Sequence, residues 1–335
     1  MPVGKSIPTL SGAGPGELSN IIDEAYEPVL LKGLVAHWPV VKQARQSHAS
    51  VDSYLRQFYQ GASVGVVSGQ AEIDGRFFYN ELLTGFNFER SMEKLDLVLD
   101  KIAQQCGLPG ARSYYVGSTT IDAALPQFRA ENDLDFGDLN PLASIWIGNR
   151  SRIAAHYDVP DNIACVAAGH RRFTLFPPEQ LENLYIGPLD FTPAGQAISL
   201  VDFHQPDFER FPRFRQALDN AVIVEMEPGD ALFIPSMWWH HVESLDSLNV
   251  LVNYWWRKSP DYMGPPIEVL NHALLSLRNL PPAQKKAWQG ILDHYIFSES
   301  TSLEHIPAGS RGMLGELDDI AARKLRALLL NKLNR

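Results

Sequence analysis

Nine short apolar or alternating runs between residues 114 and 256 set the strongest limit on what this chain can fold into. They occupy 114–116, 144–147, 153–157, 163–167, 172–176, 221–225, 231–234, 240–243 and 250–256. Each has the length of a strand, and turn residues separate them at Gly148-Asn149, Gly169, Pro177-Pro178 and Pro228-Gly229-Asp230. Many short strands broken by frequent turns suit an antiparallel double sheet such as a jelly roll. The expected class is mainly β with flanking helices.

The flanks read differently. The first 16 residues, rich in Gly, Pro and Ser, read as an arm or a loosely packed strand. Residues 17–26 resemble a short helix, and 28–33 a strand ended by Gly33. A connection through Trp38-Pro39 leads to a second helix carrying Tyr54, Leu55 and Phe58, followed by strands at 63–68 and 77–79. Between Phe88 and Cys106, Met92, Leu95, Val98, Leu99 and Ile102 recur at helical spacing and predict a helix with one buried face. After Pro265 the pattern is helical again, with an apolar stripe of Leu314, Leu317, Ala321, Leu325 and Leu328. The expected organisation is N-terminal helices and strands over 1–112 packing on a β core over 113–257, then a helical region over 258–335.

The 335 residues are enough for a substantial core, and 45% hydrophobic with 20% charged residues is ordinary for a globular protein. A net charge of −10 argues against broad attraction to nucleic acid. Cys106 and Cys165 are the only cysteines, too few for a disulfide framework. The opening Met-Pro-Val-Gly-Lys-Ser lacks a secretory pattern, and no stretch reaches the ~18 apolar residues that span a bilayer. The expected location is cytoplasmic, with no membrane partner.

Chemistry concentrates at His156 and Asp158. Two residues apart on a strand, they project from one face and can offer an imidazole nitrogen and a carboxylate oxygen to one ion. A third ligand is available 84 residues downstream, at His240-His241. Alternation turns these two histidines to opposite faces, so one of them faces the site, and spacing alone leaves open which. Two histidines and a carboxylate holding one face of an ion is the arrangement of non-haem Fe(II) oxygenases. Such an enzyme using 2-oxoglutarate needs a cation for the far carboxylate, and Arg171, alternating with Phe173 and Leu175, is a candidate. Asn162 alternates with Ala164 and Val166, and Asn253 with Leu251 and Trp255; an amide buried among such neighbours requires a polar partner, from the backbone or from a ligand.

Several motifs occur in order. They are His156-Tyr-Asp158, Asn162, Gly169-His-Arg-Arg-Phe-Thr-Leu-Phe-Pro-Pro178, Val201-Asp-Phe203, Pro206-Asp-Phe-Glu-Arg-Phe-Pro-Arg-Phe214, Glu227-Pro-Gly-Asp-Ala-Leu-Phe-Ile-Pro235, Trp238-Trp-His-His-Val-Glu-Ser244 and Val252-Asn-Tyr-Trp255. Over roughly 113–257 the chain resembles the cupin-like branch of the JmjC dioxygenases, most closely its asparaginyl hydroxylases, and 28–33 with Trp38-Pro39 fits that family's opening. The resemblance implies a double-stranded β-helix, Fe(II), and 2-oxoglutarate with O₂ as cosubstrates. By matching positions it implies His156, Asp158 and His240 as catalytic metal ligands. Tyr115 and Arg171 would hold the far carboxylate, Asn162 and Asn253 would lie near the metal-bound end, and Trp255 would pack beside the iron.

Three departures from the asparaginyl hydroxylases stand out. Arg171 stands for their lysine, Ile153 for a threonine, and Ala197-Ile198 for the arginine-glutamine pair that grips the target asparagine. The implied activity is therefore hydroxylation of a C–H bond, most readily on a protein or peptide side chain, without commitment to asparagine. Competing readings are hydroxylation of a tRNA base or small molecule, and a non-catalytic metal-binding cupin. The resemblance also implies a homodimer through residues 266–335.

Overall fold

Eight strands between Leu142 and Trp256 form two facing sheets in the computed structural model, which describes residues 5–12, 14–193, 195–298 and 303–334. Six strands precede them: β1 (Thr9–Ser11), β2 (Val29–Lys32), β3 (Ser63–Gly69), β4 (Arg76–Phe77), β5 (Glu89–Lys94) and β6 (Ser113–Thr120). The eight are β7 (Leu142–Gly148), β8 (Ser151–His156), β9 (Asp161–Ala168), β10 (Arg171–Phe176), β11 (Val222–Met226), β12 (Ala231–Ile234), β13 (Trp239–Ser244) and β14 (Asn249–Trp256). The large sheet runs β1-β2-β12-β9-β14-β7-β6-β3-β5, and the small sheet β11-β10-β13-β8-β4. Pairing among the eight is antiparallel throughout. This is the jelly roll expected of short strands punctuated by turns.

Burial explains the residue choice on the central strands. Every residue of β9 is buried because both faces are covered. Ile163, Cys165 and Ala167 join a core with Trp38, Leu55 and Leu99 on the helical side, while Ala164 and Val166 join Phe173, Leu175 and Val224 between the sheets. β14 divides in the same way, with Val250, Val252 and Tyr254 toward the helices and Leu251 toward the other sheet. The turn from β9 to β10 passes through Gly169 at φ +71, where a Cβ would lie 2.4 Å from Asn249 Oδ1. Glycine is required there, and the turn starts the strand that carries Arg171.

Two expectations need correction. The helix predicted between Phe88 and Cys106 covers only Leu95–Gln104, where Leu95, Val98, Leu99 and Ile102 are buried. Residues Glu89–Lys94 instead extend the edge of β3, and Met92, opposite Gly65, is 69% exposed. Its helical spacing was coincidental; pairing to an available sheet edge decided the conformation. Near the C-terminus the helix is Asp319–Leu333, with the Asp318 carboxylate accepting from the Ala321 amide at its start. Leu314 and Leu317 of the predicted stripe lie before that cap.

Contacts divide the chain into units Met1–Arg257 and Lys258–Arg335. The second unit holds helices Ile267–Ser276, Pro282–Leu292 and Asp319–Leu333. Among its described residues the one buried hydrophobic side chain is Ala322, whereas Val269, Leu275, Ile296 and Phe297 are each more than 60% exposed. No described helix is long and apolar enough to cross a membrane.

Candidate functional site

β8 ends at His156, and β13 places His240 directly opposite it. Their ring centroids are 4.3 Å apart. Asp158 follows in the turn toward β9, where its carbonyl accepts from the Met237 amide at 2.9 Å and Ser236 Oγ donates to the Val159 carbonyl at 2.6 Å. The two turns thereby hold each other. One candidate ligand atom from each of His156, Asp158 and His240 lies within 4.8 Å of the others, and Asp158 Oδ2 is 3.7 Å from His240 Nε2.

Both imidazoles are oriented by the backbone. His156 Nδ1 is 2.9 Å from the Ala154 carbonyl, and His240 Nδ1 is 3.0 Å from the Trp238 carbonyl. A carbonyl can only accept, so Nδ1 carries the proton and the Nε2 lone pair remains for a metal. Burial, reinforced by His156 and opposed by Asp158, pushes His240 down to about 4 and keeps it neutral. The adjacent His241 faces away, stacks on Phe203 at 4.6 Å, and is pushed down to about 3, mainly by burial. Thus the alternative that spacing left open is resolved geometrically, with His240 beside His156 and Asp158.

The triad lines a cavity of about 290 Å³ that also receives Tyr115, Asn162, Arg171, Asn253 and Trp255. Arg171 is 2% exposed, and its buried Nε and Nη2 have no hydrogen-bond partner. Among the described residues no carboxylate forms an ion pair with it. Burial pulls its pKa down to about 10, offset in part by Tyr115. The Tyr115 phenol is pushed up by burial, with Arg171 opposing, so it keeps its proton. Tyr115 pairs with Gly148, where a Cβ would come 2.7 Å from the Tyr114 carbonyl and 3.3 Å from the Tyr115 ring. The two amides answer each other: Asn253 Nδ2 donates to Asn162 Oδ1 at 3.3 Å, and Trp146 Nε1 donates to Asn253 Oδ1 at 2.6 Å. Trp255 meets Trp146 edge to face at 5.8 Å.

Gln196 and Phe88 of the cavity carried no signal in the sequence, whereas Ile198 stands at a position already named as a departure from the family's substrate-gripping pair. Gln196 Nε2 donates to Asp158 Oδ1 at 3.2 Å from the long connection between β10 and β11, where no periodicity marks it. Phe88 and Ile198 line the cavity from outside the eight strands. Trp146 could have been found, since it alternates with Ser144 along β7 onto the face that β14 presents with Asn253.

A cupin-like domain model matches residues 17–262. The chain belongs to the cupin-like, JmjC family. Within that family it is 32% identical to human HSPB1-associated protein 1 over 82% of this chain and 57% of that protein. It is 26% identical to lysine-specific demethylase 8 of Xenopus tropicalis, over 69% of this chain and 48% of the relative. Identity to tRNA wybutosine-synthesizing protein 5 of Gallus gallus is 32%, over 48% and 50% respectively. The cupin-like chain spans about half the length of these relatives. Two imidazole nitrogens and one carboxylate oxygen converging on one face form a donor set that fits Fe(II) with open positions opposite.

Proposed function

We propose that the protein is an Fe(II)- and 2-oxoglutarate-dependent dioxygenase that hydroxylates a C–H bond on a protein side chain. The observation that carries this reading is Arg171, a buried guanidinium with unpartnered nitrogens lining the cavity of His156, Asp158 and His240. A buried cation without a counter-ion is costly, and a dianion that meets both the metal and the guanidinium removes that cost.

Fe(II) with 2-oxoglutarate and O₂ supplies the oxidising chemistry when bound. The chain supplies the rest. His156 and His240 present Nε2 because their Nδ1 protons are held by carbonyls, and Asp158 presents one oxygen while Gln196 holds the other. Arg171 offers parallel donors to the far carboxylate, and the protonated Tyr115 hydroxyl offers another. Asn162 and Asn253, already joined to each other, stand ready for the metal-bound end of the cosubstrate. The apolar side chains around them exclude water from the oxidant.

Anaerobic titration of Fe(II)-loaded protein with 2-oxoglutarate tests the reading. A visible metal-to-ligand charge-transfer band is expected in wild type, lost in Asp158→Ala and weakened in Arg171→Ala. No band in fully metallated wild type would move a non-catalytic cupin to first place.

The similarity to a wybutosine-synthesizing protein supports tRNA as a second reading. Residues 1–257 carry 31 Asp and Glu against 19 Lys and Arg, which weighs against a polyanion and for a protein substrate. We further propose a homodimer through residues 266–335, supported by the exposed apolar side chains of the second unit, and a reducing, cytoplasmic location, supported by Cys106 and Cys165 as free thiols.

A further inference from the structure

The connection from β10 to β11 closes on itself at its base. Ile186 and Ser199 form an antiparallel bridge, the Gly187 amide donates to the Ile198 carbonyl at 2.9 Å, and the Leu200 amide donates to the Tyr185 carbonyl at 3.0 Å. Beyond that base, no described residue of 187–197 belongs to a strand or a helix. A loop tip without ladder hydrogen bonds is placed by what it docks on. Its placement matters here because Gln196 reaches Asp158 from this tip. Among the described residues, the hydrogen bond from Gln196 Nε2 to Oδ1 is the one that the Asp158 carboxylate accepts, and it leaves Oδ2 on the side of His240. The histidines have backbone carbonyls to orient them; the carboxylate has this amide.

The tip docks on the segment between β4 and β5. Buried Tyr79 donates its phenol hydrogen to the Phe191 carbonyl at 2.6 Å, and the Arg90 guanidinium donates to the Pro193 carbonyl. The Phe191 ring stacks on Phe86, with centroids 4.7 Å apart and planes 14° from parallel, and Phe86 stacks in turn on Phe88 at 5.0 Å and 11°. On the other side of Gln196, Ile198 is buried in a cluster with Phe78 and Tyr79. The backbone at Gln196 is thereby held from both flanks by one partner segment. A long amide side chain has rotamer freedom to lose, and a fixed backbone leaves only that loss to be met by its bond to Asp158.

From this we infer that Phe191, stacked on Phe86, is a positioning residue for the metal centre. It acts through Gln196, so that the ring stack between β4 and β5 governs how Asp158 is offered to the ion. The inference rests on the part of the reading above that makes His156, Asp158 and His240 a metal site, and not on the reaction proposed for it. Groups that orient a ligand from behind contribute to metal affinity without touching the metal.

A double-mutant cycle on the full-length protein provides the test. Fe(II) affinity is measured anaerobically by competition with a chromogenic chelator, in wild type, Gln196→Leu, Phe191→Leu and the double variant. Each single substitution should weaken Fe(II) binding about tenfold. The double variant should bind no more weakly than either, because without the amide the ring has nothing to act through. Phe191→Tyr keeps the stack and should bind Fe(II) as wild type does. Phe191 is 37% exposed, so its truncation should leave the melting temperature of the metal-free protein nearly unchanged. Should Phe191→Leu fail to fold, Tyr79→Phe, which removes only the hydrogen bond to the Phe191 carbonyl, closes the same cycle with Gln196→Leu.

Unchanged Fe(II) affinity in Phe191→Leu would overturn the inference. So would losses that multiply to about a hundredfold in the double variant, since independent effects add in free energy. Equal weakness of Phe191→Tyr and Phe191→Leu would also overturn it. A non-additive cycle in protein that shows no charge-transfer band with 2-oxoglutarate would uphold this inference while removing the dioxygenase reading. Failure of wild type to bind Fe(II) would remove the metal site, and this inference with it.

Discussion

At the scale of single residues, stability and function should part company at Arg171. Its buried Nε and Nη2 have no hydrogen-bond partner, so Arg171→Met should raise or leave unchanged the melting temperature of the cosubstrate-free protein. The same substitution should weaken 2-oxoglutarate binding by about 100-fold, the value of a charge-assisted pair of hydrogen bonds. A fall in melting temperature as large as that of a core truncation would show that Arg171 is structural. Gln196 makes a subtler case. Gln196→Leu should lower Fe(II) affinity about tenfold by freeing Asp158 to rotate, with Gln196→Glu worse because like charges would face each other. Metal titration on the purified variants, with circular dichroism as a check on folding, reads both. The difference between these residues is also a difference in legibility. His156, Arg171 and Asn162 can be assigned to a face by counting in twos along a strand, because each sits among neighbours of one sheet. Gln196 reaches Asp158 through a long connection whose path depends on the whole fold, and no local pattern could announce it.

At the scale of elements, the helix Leu95–Gln104 illustrates what hydrophobic spacing can and cannot settle. Leu95, Val98, Leu99 and Ile102 pack under the large sheet, and Leu99→Ala should destabilise the protein by about 3 kcal/mol through the cavity it leaves. Chemical denaturation would measure this, and the affinity of the remaining folded protein for 2-oxoglutarate should be unchanged. A matching loss of cosubstrate affinity would mean that the helix side of the sheet governs the cavity side. The periodicity that identified these four side chains could not exclude Met92, since one residue at a matching offset occurs by chance. Only the open edge of β3 explains why Glu89–Lys94 is extended. The strands of the jelly roll were more legible because turn residues bracket them, and at Gly169 the bracket reflects a steric demand that any other side chain would violate.

At the scale of the whole molecule, the second unit exposes Val269, Leu275 and Phe297 to an extent that a small helical unit seldom leaves to water. Sedimentation equilibrium at micromolar concentration should report a dimer, and Leu275→Glu should return it to a monomer without loss of helicity. A monomeric wild type would remove the homodimer. The large sheet, meanwhile, serves as a shared wall. On β14 the side chains that pack against helices alternate, one for one, with those that face the cavity. Residues adjacent in sequence therefore answer to separate demands. A mutational library confined to Leu251, Asn253 and Trp255, together with Ala164 on β9, would vary the cavity while leaving Val250, Val252 and Tyr254 to keep the chain folded. The same interleaving gives evolution a way to change what the cavity accepts by single substitutions, at alternate positions, without first rebuilding the scaffold that holds them.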